Sequence, residues 1–162
     1  MKYLAVDYGQ KRTGLAVSDA GGSMAFPLRV LPMHGRERFV AELPEIARAE
    51  GAQALVVGLP RHGDGEHSET TRQVLNMVRA LCVQTNLPIY LVEEYLSSWD
   101  AESRLREAGR SGKKALARLD AAAAAAILES FLSLSAFQRE PLRFVEKDAD
   151  GGHESTSSPV EE

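Results

Sequence analysis

The stretch "LAVDYGQKRTGLAVSD", residues 4–19, contains two short apolar runs separated by a polar segment around Gly9. Apolar runs of about four to six residues are typical of strands, and the segment 8–12 is typical of a hairpin turn. Asp7 therefore lies where a buried strand reaches solvent. A third apolar run near residues 26–31 follows after a short connection, and three strands joined so closely predict an antiparallel meander.

The remaining apolar patterns alternate between helical and strand periodicity. In chain order the predicted elements are helix 39–47, strand 54–60, helix 74–82, strand 87–94, helix 97–109 and helix 118–134. Pro44 must either kink the first of these helices or begin a second one. The pattern predicts one α/β domain over residues 1–137, followed over residues 138–162 by a polar, acidic tail that we expect to be disordered.

Charge is unevenly distributed along the chain. The whole sequence carries a formal net charge of −4, yet residues 1–147 hold 19 basic and 18 acidic residues, because five acids lie in residues 148–162. Six basic residues lie between Arg104 and Arg118, and Glu107 is the only acid among them. A local basic patch of this kind can contact phosphates even when the whole chain is acidic.

Composition excludes several classes of protein. Cys82 is the single cysteine, which excludes a disulfide framework and a cage of thiolate metal ligands and fits a reducing cytoplasm. No apolar run approaches the roughly 18 residues that a membrane span requires, and no secretory signal is recognisable. We therefore expect a cytoplasmic protein that has no membrane partner.

Several predicted elements carry a carboxylate near one end. Asp7 ends the first strand, Glu93 and Glu94 end the strand 87–94, and Asp120 lies near the start of the last helix. Sites in open α/β sheets lie beyond the carboxyl ends of the central strands, so Asp7 and Glu94 point to one site if their strands are parallel neighbours. Grouped carboxylates repel unless a cation neutralises them, and oxygen ligands favour Mg²⁺ or Mn²⁺. Each acid alone also has a structural explanation, as a turn residue, a solvated strand end or a first-turn helix acid.

Four motifs follow one another along the chain: "AVDYGQKRTGLAVSD" (5–19), "VVGLPRHGDG" (56–65), "EEYLSS" (93–98) and "LDAAAAAAILES" (119–130). In this order they resemble the YqgF (RuvX-like) family. The family comprises pre-16S rRNA nucleases related to Holliday-junction resolvases, and the resemblance extends over about residues 2–137. It implies an RNase H-like fold, with a mixed five-stranded sheet whose first three strands are antiparallel and with helices on both faces.

The resemblance also implies a chemistry. The family's acidic site corresponds to Asp7, Glu94 and Asp120, which would be the catalytic residues and the ligands of two divalent ions, Mg²⁺ or Mn²⁺. The implied reaction is phosphodiester hydrolysis, in 5′-end processing of precursor 16S rRNA during ribosome biogenesis. Two alternatives stay open: a Holliday-junction resolvase that acts on branched DNA, and a non-catalytic nucleic-acid-binding module. The related sugar-kinase, actin and heat-shock ATPases need two such domains, and the chain is too short for both.

The sequence departs from the pattern of the family and its relatives at three places. Tyr95 follows Glu94 where the family often has arginine, which removes a cation beside the acids. Ala123 stands where the related resolvases carry a fourth acid, so we expect one ion to be held more weakly. "HGDG", residues 62–65, replaces the more usual Asn-Met-Asp-Gly.

Basic residues near the acids are candidates for contact with nucleic acid. Lys11 and Arg12 lie in the turn after Asp7, and three more cations, Arg110, Lys113 and Lys114, lie in or beside "GRSGKK", residues 109–114. We interpret the latter segment as a mobile basic flap, although solvated turn cations are an equal alternative for Lys11 and Arg12. The expected partner is a nucleic acid, either a structured RNA precursor or branched DNA. Ribosomal precursor particles are a further expected partner, and the question of a homodimer stays open.

Overall fold

The computed structural model describes residues 1–61, 69–95 and 98–141. Its elements in chain order are β1 (Tyr3–Asp7), β2 (Arg12–Ser18), β3 (Ala25–Pro32), α1 (Arg36–Glu50), β4 (Ala54–Arg61), α2 (Glu69–Gln84), β5 (Ile89–Tyr95) and α3 (Ser98–Leu132). A short 3₁₀ helix, Ala136–Gln138, follows α3. All five predicted strands are confirmed, with ends that differ from the prediction by one or two residues.

The five strands form one mixed sheet in the order β3-β2-β1-β4-β5. β1 pairs antiparallel with β2, and β2 pairs antiparallel with β3, as the short connections predict. β4 pairs parallel with both β1 and β5, because helices connect these strands. The strands that carry Asp7 and Glu94 are therefore parallel, but β4 separates them, so they are not the direct neighbours that the condition for a shared site assumed.

Helices cover both faces of the sheet, so that the strands are buried between two cores. Leu4 and Val6 of β1 belong to the core beneath α1 and α2, whereas Tyr3 and Ala5 belong to the core beneath α3. Successive side chains of a strand point to opposite faces, and fully burying a large apolar side chain contributes about 1.5–3 kcal/mol. A register slip of one residue would exchange the two faces, so burial fixes which face each acid occupies.

Helix α1 continues through Pro44 as one helix. Val40, Leu43 and Ala47 are all buried, so the apolar face that packs on the sheet is continuous on both sides of the proline. The helix ends at Gly51, whose φ of 68° is in the left-handed region that favours glycine. Of the two predicted outcomes at Pro44, the start of a second helix is wrong.

The segment α3 consists of two helices that meet at a kink, as the sequence predicts. Residues 98–132 are helical on both sides of Gly112, which alone has a non-helical backbone (φ 70°, ψ −150°). The first helix continues past the predicted end near Gly109 to Gly112, so the two helices are separated by one glycine rather than by a six-residue loop. The positive φ in this segment is confined to Gly112, where no Cβ opposes it.

The C-terminal half of α3 packs closely on the sheet because small residues form the contact. Ala121, Ala124 and Ala125 are buried, and a side chain at Gly58 of β4 would overlap Ile127. None of the described helices combines the length and the hydropathy that a membrane-spanning segment requires.

Contacts of the domain continue a few residues beyond α3. Pro141 forms an isolated bridge with Tyr90, and the Arg139 guanidinium lies 4.9 Å from the ring centroid of Phe131. Most of the predicted acidic tail, residues 142–162, lies outside the described residues.

Candidate active site at the carboxyl end of the sheet

Asp7 is the last residue of β1 and lies on the sheet face that α3 covers. Tyr3 and Ala5, four and two positions earlier, both belong to the core beneath α3, and side chains alternate along a strand. Asp7 is half-buried and pairs with Gly14 in the β1–β2 ladder. The strand thus presents a carboxylate at the edge of the α3 core.

Glu94 lies on the same face as Asp7, near the end of β5. Val92 belongs to the core beneath α3, and Glu94 follows it by two residues; Glu93 falls on the opposite face and is exposed. In the ladders, Val6 lies beside Val57 and Glu94 lies beside Pro60. Pro60 is three residues after Val57, whereas Asp7 is only one residue after Val6. Glu94 therefore lies two residues, about 7 Å, farther along the strand direction than Asp7. Glu93 and Glu94 both lie at the end of the strand, so this position alone does not distinguish them. The alternation of side chains does, because it puts only Glu94 on the same face as Asp7.

Asp120 reaches the same region from α3, and Gly14 makes that approach possible. A side chain at Gly14 would overlap the main-chain carbonyl oxygen of Asp120, so the helix contacts β2 where the strand has no side chain. Gly14 is the partner of Asp7 in the β1–β2 ladder, so Asp120 lies over the residue directly beside Asp7. Sequence reasoning missed this role of Gly14, although a glycine inside a strand pattern signals a close backbone approach.

The carboxylate of Asp120 forms an ion pair with Arg12. Arg12 Nε donates a hydrogen bond of 2.6 Å to Asp120 Oδ2, and the two side chains are 37% and 14% exposed. Arg12 is two residues before Gly14 and so lies on the same face of the sheet. Arg12 is thus ion-paired as well as partly exposed, and Asp120 is mostly buried; a role for either residue in the site stays a prediction.

The donor chemistry of the three acids fits a hard divalent cation. Carboxylate oxygens are the ligands that Mg²⁺ and Mn²⁺ prefer, and Asp7, Glu94 and Asp120 lie on one face at one end of the sheet. In the arrangement of the side chains within the described ranges, no three His, Cys, Asp or Glu groups are close enough to hold an ion together. Arg12 already holds Oδ2 of Asp120, so coordination by all three acids would need Asp120 to contribute Oδ1 or to release Arg12.

The other predicted nucleic-acid-binding residues are placed less completely. Lys11 is exposed in the turn after β1, and Lys114 is exposed on α3 just beyond Gly112. The side chains of Arg110 and Lys113 lie outside the described residues. Ala123, at the position of the resolvases' fourth acid, is half-buried one helical turn beyond Asp120.

Comparisons with known proteins show which family the chain resembles. The model of the RuvX family, described as a Holliday junction resolvase, matches residues 1–134. A protein of Nitratidesulfovibrio vulgaris (strain Miyazaki F) named "Putative pre-16S rRNA nuclease" is 55% identical over 141 residues, which covers 87% of this chain and 99% of that protein. A relative with the same name from Oleidesulfovibrio alaskensis is 49% identical over 142 residues, covering 88% and 99%.

A solved structure shares the fold. Thermus thermophilus RuvC in complex with a Holliday junction substrate superposes with a TM-score of 0.54 at 19% identity, and the match covers 88% of this chain and 99% of RuvC. This likeness confirms the predicted RNase H-like architecture. The family match spans the whole sheet and the helices on both of its faces. Together with the identities above, it confirms the resemblance seen in the four motifs. The chain belongs to the RuvX family.

Proposed function

We propose that the protein is a divalent-metal-dependent nuclease that hydrolyses phosphodiester bonds in precursor 16S rRNA, at the 5′ end of the mature sequence. The observation that carries the proposal is the placement of Asp7, Glu94 and Asp120 on one face at the carboxyl end of the sheet. Asp120 also forms an ion pair with Arg12, whereas a cation site would involve all three acids, which come from three separate elements. Binding of cations that act on a phosphodiester accounts for all of them.

Each acid has an assigned role. Asp7, fixed at the end of a central strand, is the candidate ligand shared by two ions, and Glu94 and Asp120 complete the donor set. When bound, Mg²⁺ or Mn²⁺ would supply Lewis acidity toward the phosphate oxygens and would lower the pKa of a nucleophilic water. The chain itself fixes the main chain that carries Asp7 and Glu94, because β1 is buried between the helices and β5 is anchored by the buried Ile89 and Val92.

Cations of the chain are assigned to the substrate backbone. Lys11 and Lys114 are exposed, and with Arg12, Arg110 and Lys113 they supply the positive charge that a nucleic acid needs. Phosphate contacts position a substrate without reading its sequence. We assign precursor RNA within ribosomal precursor particles in the cytoplasm as the physiological partner.

The names of the relatives favour RNA over branched DNA. Relatives at 55% and 49% identity are named as pre-16S rRNA nucleases, whereas the family description and the RuvC complex refer to Holliday junctions. The fold likeness at 19% identity supports the architecture alone. Resolution of DNA junctions is therefore the second candidate function.

Purified protein should be incubated with labelled precursor 16S rRNA 5′ leader and with a four-way DNA junction, each with Mg²⁺, Mn²⁺ or chelator. Metal-dependent cleavage of the RNA, lost in Asp7→Asn, is expected. Cleavage of the junction alone would establish the second candidate, and binding of a nucleic acid without cleavage under any metal condition would establish a non-catalytic module.

A further inference from the structure

A cavity of about 610 Å³ opens at the end of β1, on the face of the sheet opposite to the acids. Tyr8 follows Asp7 directly, so its side chain points to the other face, where it packs against the core beneath α1 and α2. Side chains that line the cavity include Tyr8, Gln10, His34, Arg36, Gln73 and Asn76. The end of β1 thus separates the candidate acids from this cavity.

Carboxamide groups form one wall of the cavity. Gln10 Nε2 donates a hydrogen bond of 2.9 Å to Gln73 Oε1, which connects the turn after β1 to α2. Asn76 is three residues after Gln73 and so lies beside it on the surface of α2. A carboxamide has both donors and an acceptor, as the edge of a nucleobase has, so this wall can form paired hydrogen bonds with a base.

A guanidinium also lines the cavity. Arg36 is exposed and forms no ion pair within the described ranges, whereas the neighbouring Arg38 donates a 2.8 Å hydrogen bond to Glu42. Burial raises the pKa of Tyr8, and the positive charge of Arg36 opposes this rise. The Tyr8 hydroxyl therefore stays protonated at neutral pH and lies within the electrostatic reach of Arg36. Glu37 and Arg38 line the cavity as well, and because Arg38 is paired with Glu42, Arg36 is the arginine of the lining left to meet an anion.

We infer that this cavity binds an unpaired nucleotide of the substrate strand, next to the phosphodiester held at Asp7, Glu94 and Asp120. The inference rests on the proposed nuclease function. The volume lies in the range of small-ligand sites, the carboxamides suit a base edge, and a guanidinium suits the phosphate. Base edges are accessible in this way only where the RNA is single-stranded, so the cavity would select unpaired RNA beside the cleaved bond.

The test measures binding without cleavage, in the presence of chelator. Fluorescence anisotropy gives the Kd for a short labelled single-stranded RNA and for a duplex of the same sequence. Arg36→Ala and Asn76→Ala should each weaken binding of the single strand about fivefold or more, and binding of the duplex by less than about twofold. Equal effects on both RNAs, or no effect on either, would overturn the inference.

Arg48→Ala is the matched control. Arg48 is exposed in the last turn of α1, the helix that begins with Arg36, and it pairs with Glu45 at 2.9 Å. Its replacement removes the same charge from the same helix away from the cavity, so both Kd values should stay within about twofold of the wild-type values. If Arg48→Ala weakens RNA binding as much as Arg36→Ala does, the loss of any positive charge explains the effect, and the inference is overturned.

Competition with a nucleoside monophosphate tests whether the cavity holds a nucleotide of the substrate strand or a free nucleotide. If the monophosphate binds as tightly as the oligonucleotide and loses affinity equally in Arg36→Ala, the occupant is a free nucleotide and the inference is wrong. Failure of the proposed nuclease function has a different signature, since RNA cleavage is then absent with Mg²⁺ and Mn²⁺ whatever the variants do to binding. A protein that cleaves RNA but binds it equally in all variants retains the function and loses this subsite.

Discussion

Arg12 and Asp120 are 108 residues apart in sequence, and the Nε of one donates a 2.6 Å hydrogen bond to the Oδ2 of the other. The pair joins β2 to α3 at the edge of the candidate active site. Because Asp120 is also a candidate metal ligand, its carboxylate has two possible partners, a guanidinium and a divalent cation. Both partners would draw on the same carboxylate, so we expect metal binding to be sensitive to Arg12.

Replacement of Arg12 should strengthen metal binding. Arg12→Gln removes the competitor for Asp120, and a partly exposed ion pair contributes on the order of 1 kcal/mol, so the Kd for Mn²⁺ should fall about three- to tenfold. Isothermal titration calorimetry without nucleic acid measures this Kd. Lys11→Gln removes an equal charge from the adjacent exposed residue and is the control. Equal gains in the two variants would mean that general electrostatics, not the ion pair, sets the affinity.

Replacement of a candidate ligand should abolish cleavage and spare the fold. Asp7→Asn keeps the shape of the side chain and removes the charge, so we expect cleavage to fall more than about a hundredfold with little change in Tm without metal. Divalent metal should raise the Tm of the wild type more than that of Asp7→Asn, Glu94→Gln or Asp120→Asn. Thermal unfolding with and without Mn²⁺ measures the difference.

Glu93→Gln provides the control for the acids. Glu93 is adjacent to Glu94 but lies on the opposite face and is exposed, so its variant should cleave RNA and respond to metal as the wild type does. Loss of activity in Glu93→Gln together with normal activity in Glu94→Gln would mean that the other face of β5 carries the site.

A methyl group at Gly14 should disturb both stability and activity. The Cβ of Gly14→Ala would overlap the main-chain carbonyl of Asp120, so α3 must move away from β2. Overpacking of this kind costs about 1–3 kcal/mol, which urea unfolding would measure. At Gly21, by contrast, an added Cβ meets only Asp19 Oδ2 at 3.6 Å, and Gly21→Ala should change stability little. Equal stability of both variants would contradict the close approach of α3.

Local patterns in the sequence predicted the sheet and the end of β1 at Asp7. Asp7 is recognisable because the apolar run stops there, a feature that depends only on neighbours along the chain. The choice of Glu94 over Glu93 came from the family resemblance instead. Side-chain alternation separates the two glutamates only once the face of Val92 is known, and that face is set by the packing of α3.

The missed features depend on contacts between distant segments. No local pattern indicates that Arg12 pairs with Asp120, because the contact exists only after α3 has packed across β2. The helix break illustrates the same limit. Glycine can end a helix, but Gly109 keeps a helical backbone and Gly112 does not, and local sequence does not distinguish the two.

Lowering the pH should remove the contribution that the Asp19 carboxylate makes to the stability of the fold. Its carboxylate accepts hydrogen bonds from the main-chain N–H groups of Met24 and Ser23 and from the Ser23 hydroxyl. These bonds, that from Met24 foremost, lower its pKa to about 2. Because the folded-state pKa lies below the unfolded one, the contribution is complete above about pH 4 and is lost as the pH falls toward 2. The Tm of Asp19→Asn should be lower than that of the wild type at pH 6, and the gap should close at the acid end; a constant gap would contradict this assignment.

Charge reversal at Lys114 tests whether the segment beyond Gly112 contacts the nucleic acid backbone. Lysine meets a phosphate as a point charge, so Lys114→Glu should weaken RNA binding for all sequences and make the slope of log K against log salt shallower by about 0.7–0.9. Arg48→Glu introduces the same change of charge at the far end of α1 and should leave the slope unchanged. Anisotropy titrations at several salt concentrations measure both slopes. Because a backbone contact reads no base edge, sequence preference should stay the same, and a wild-type slope in Lys114→Glu would exclude this residue from the binding surface.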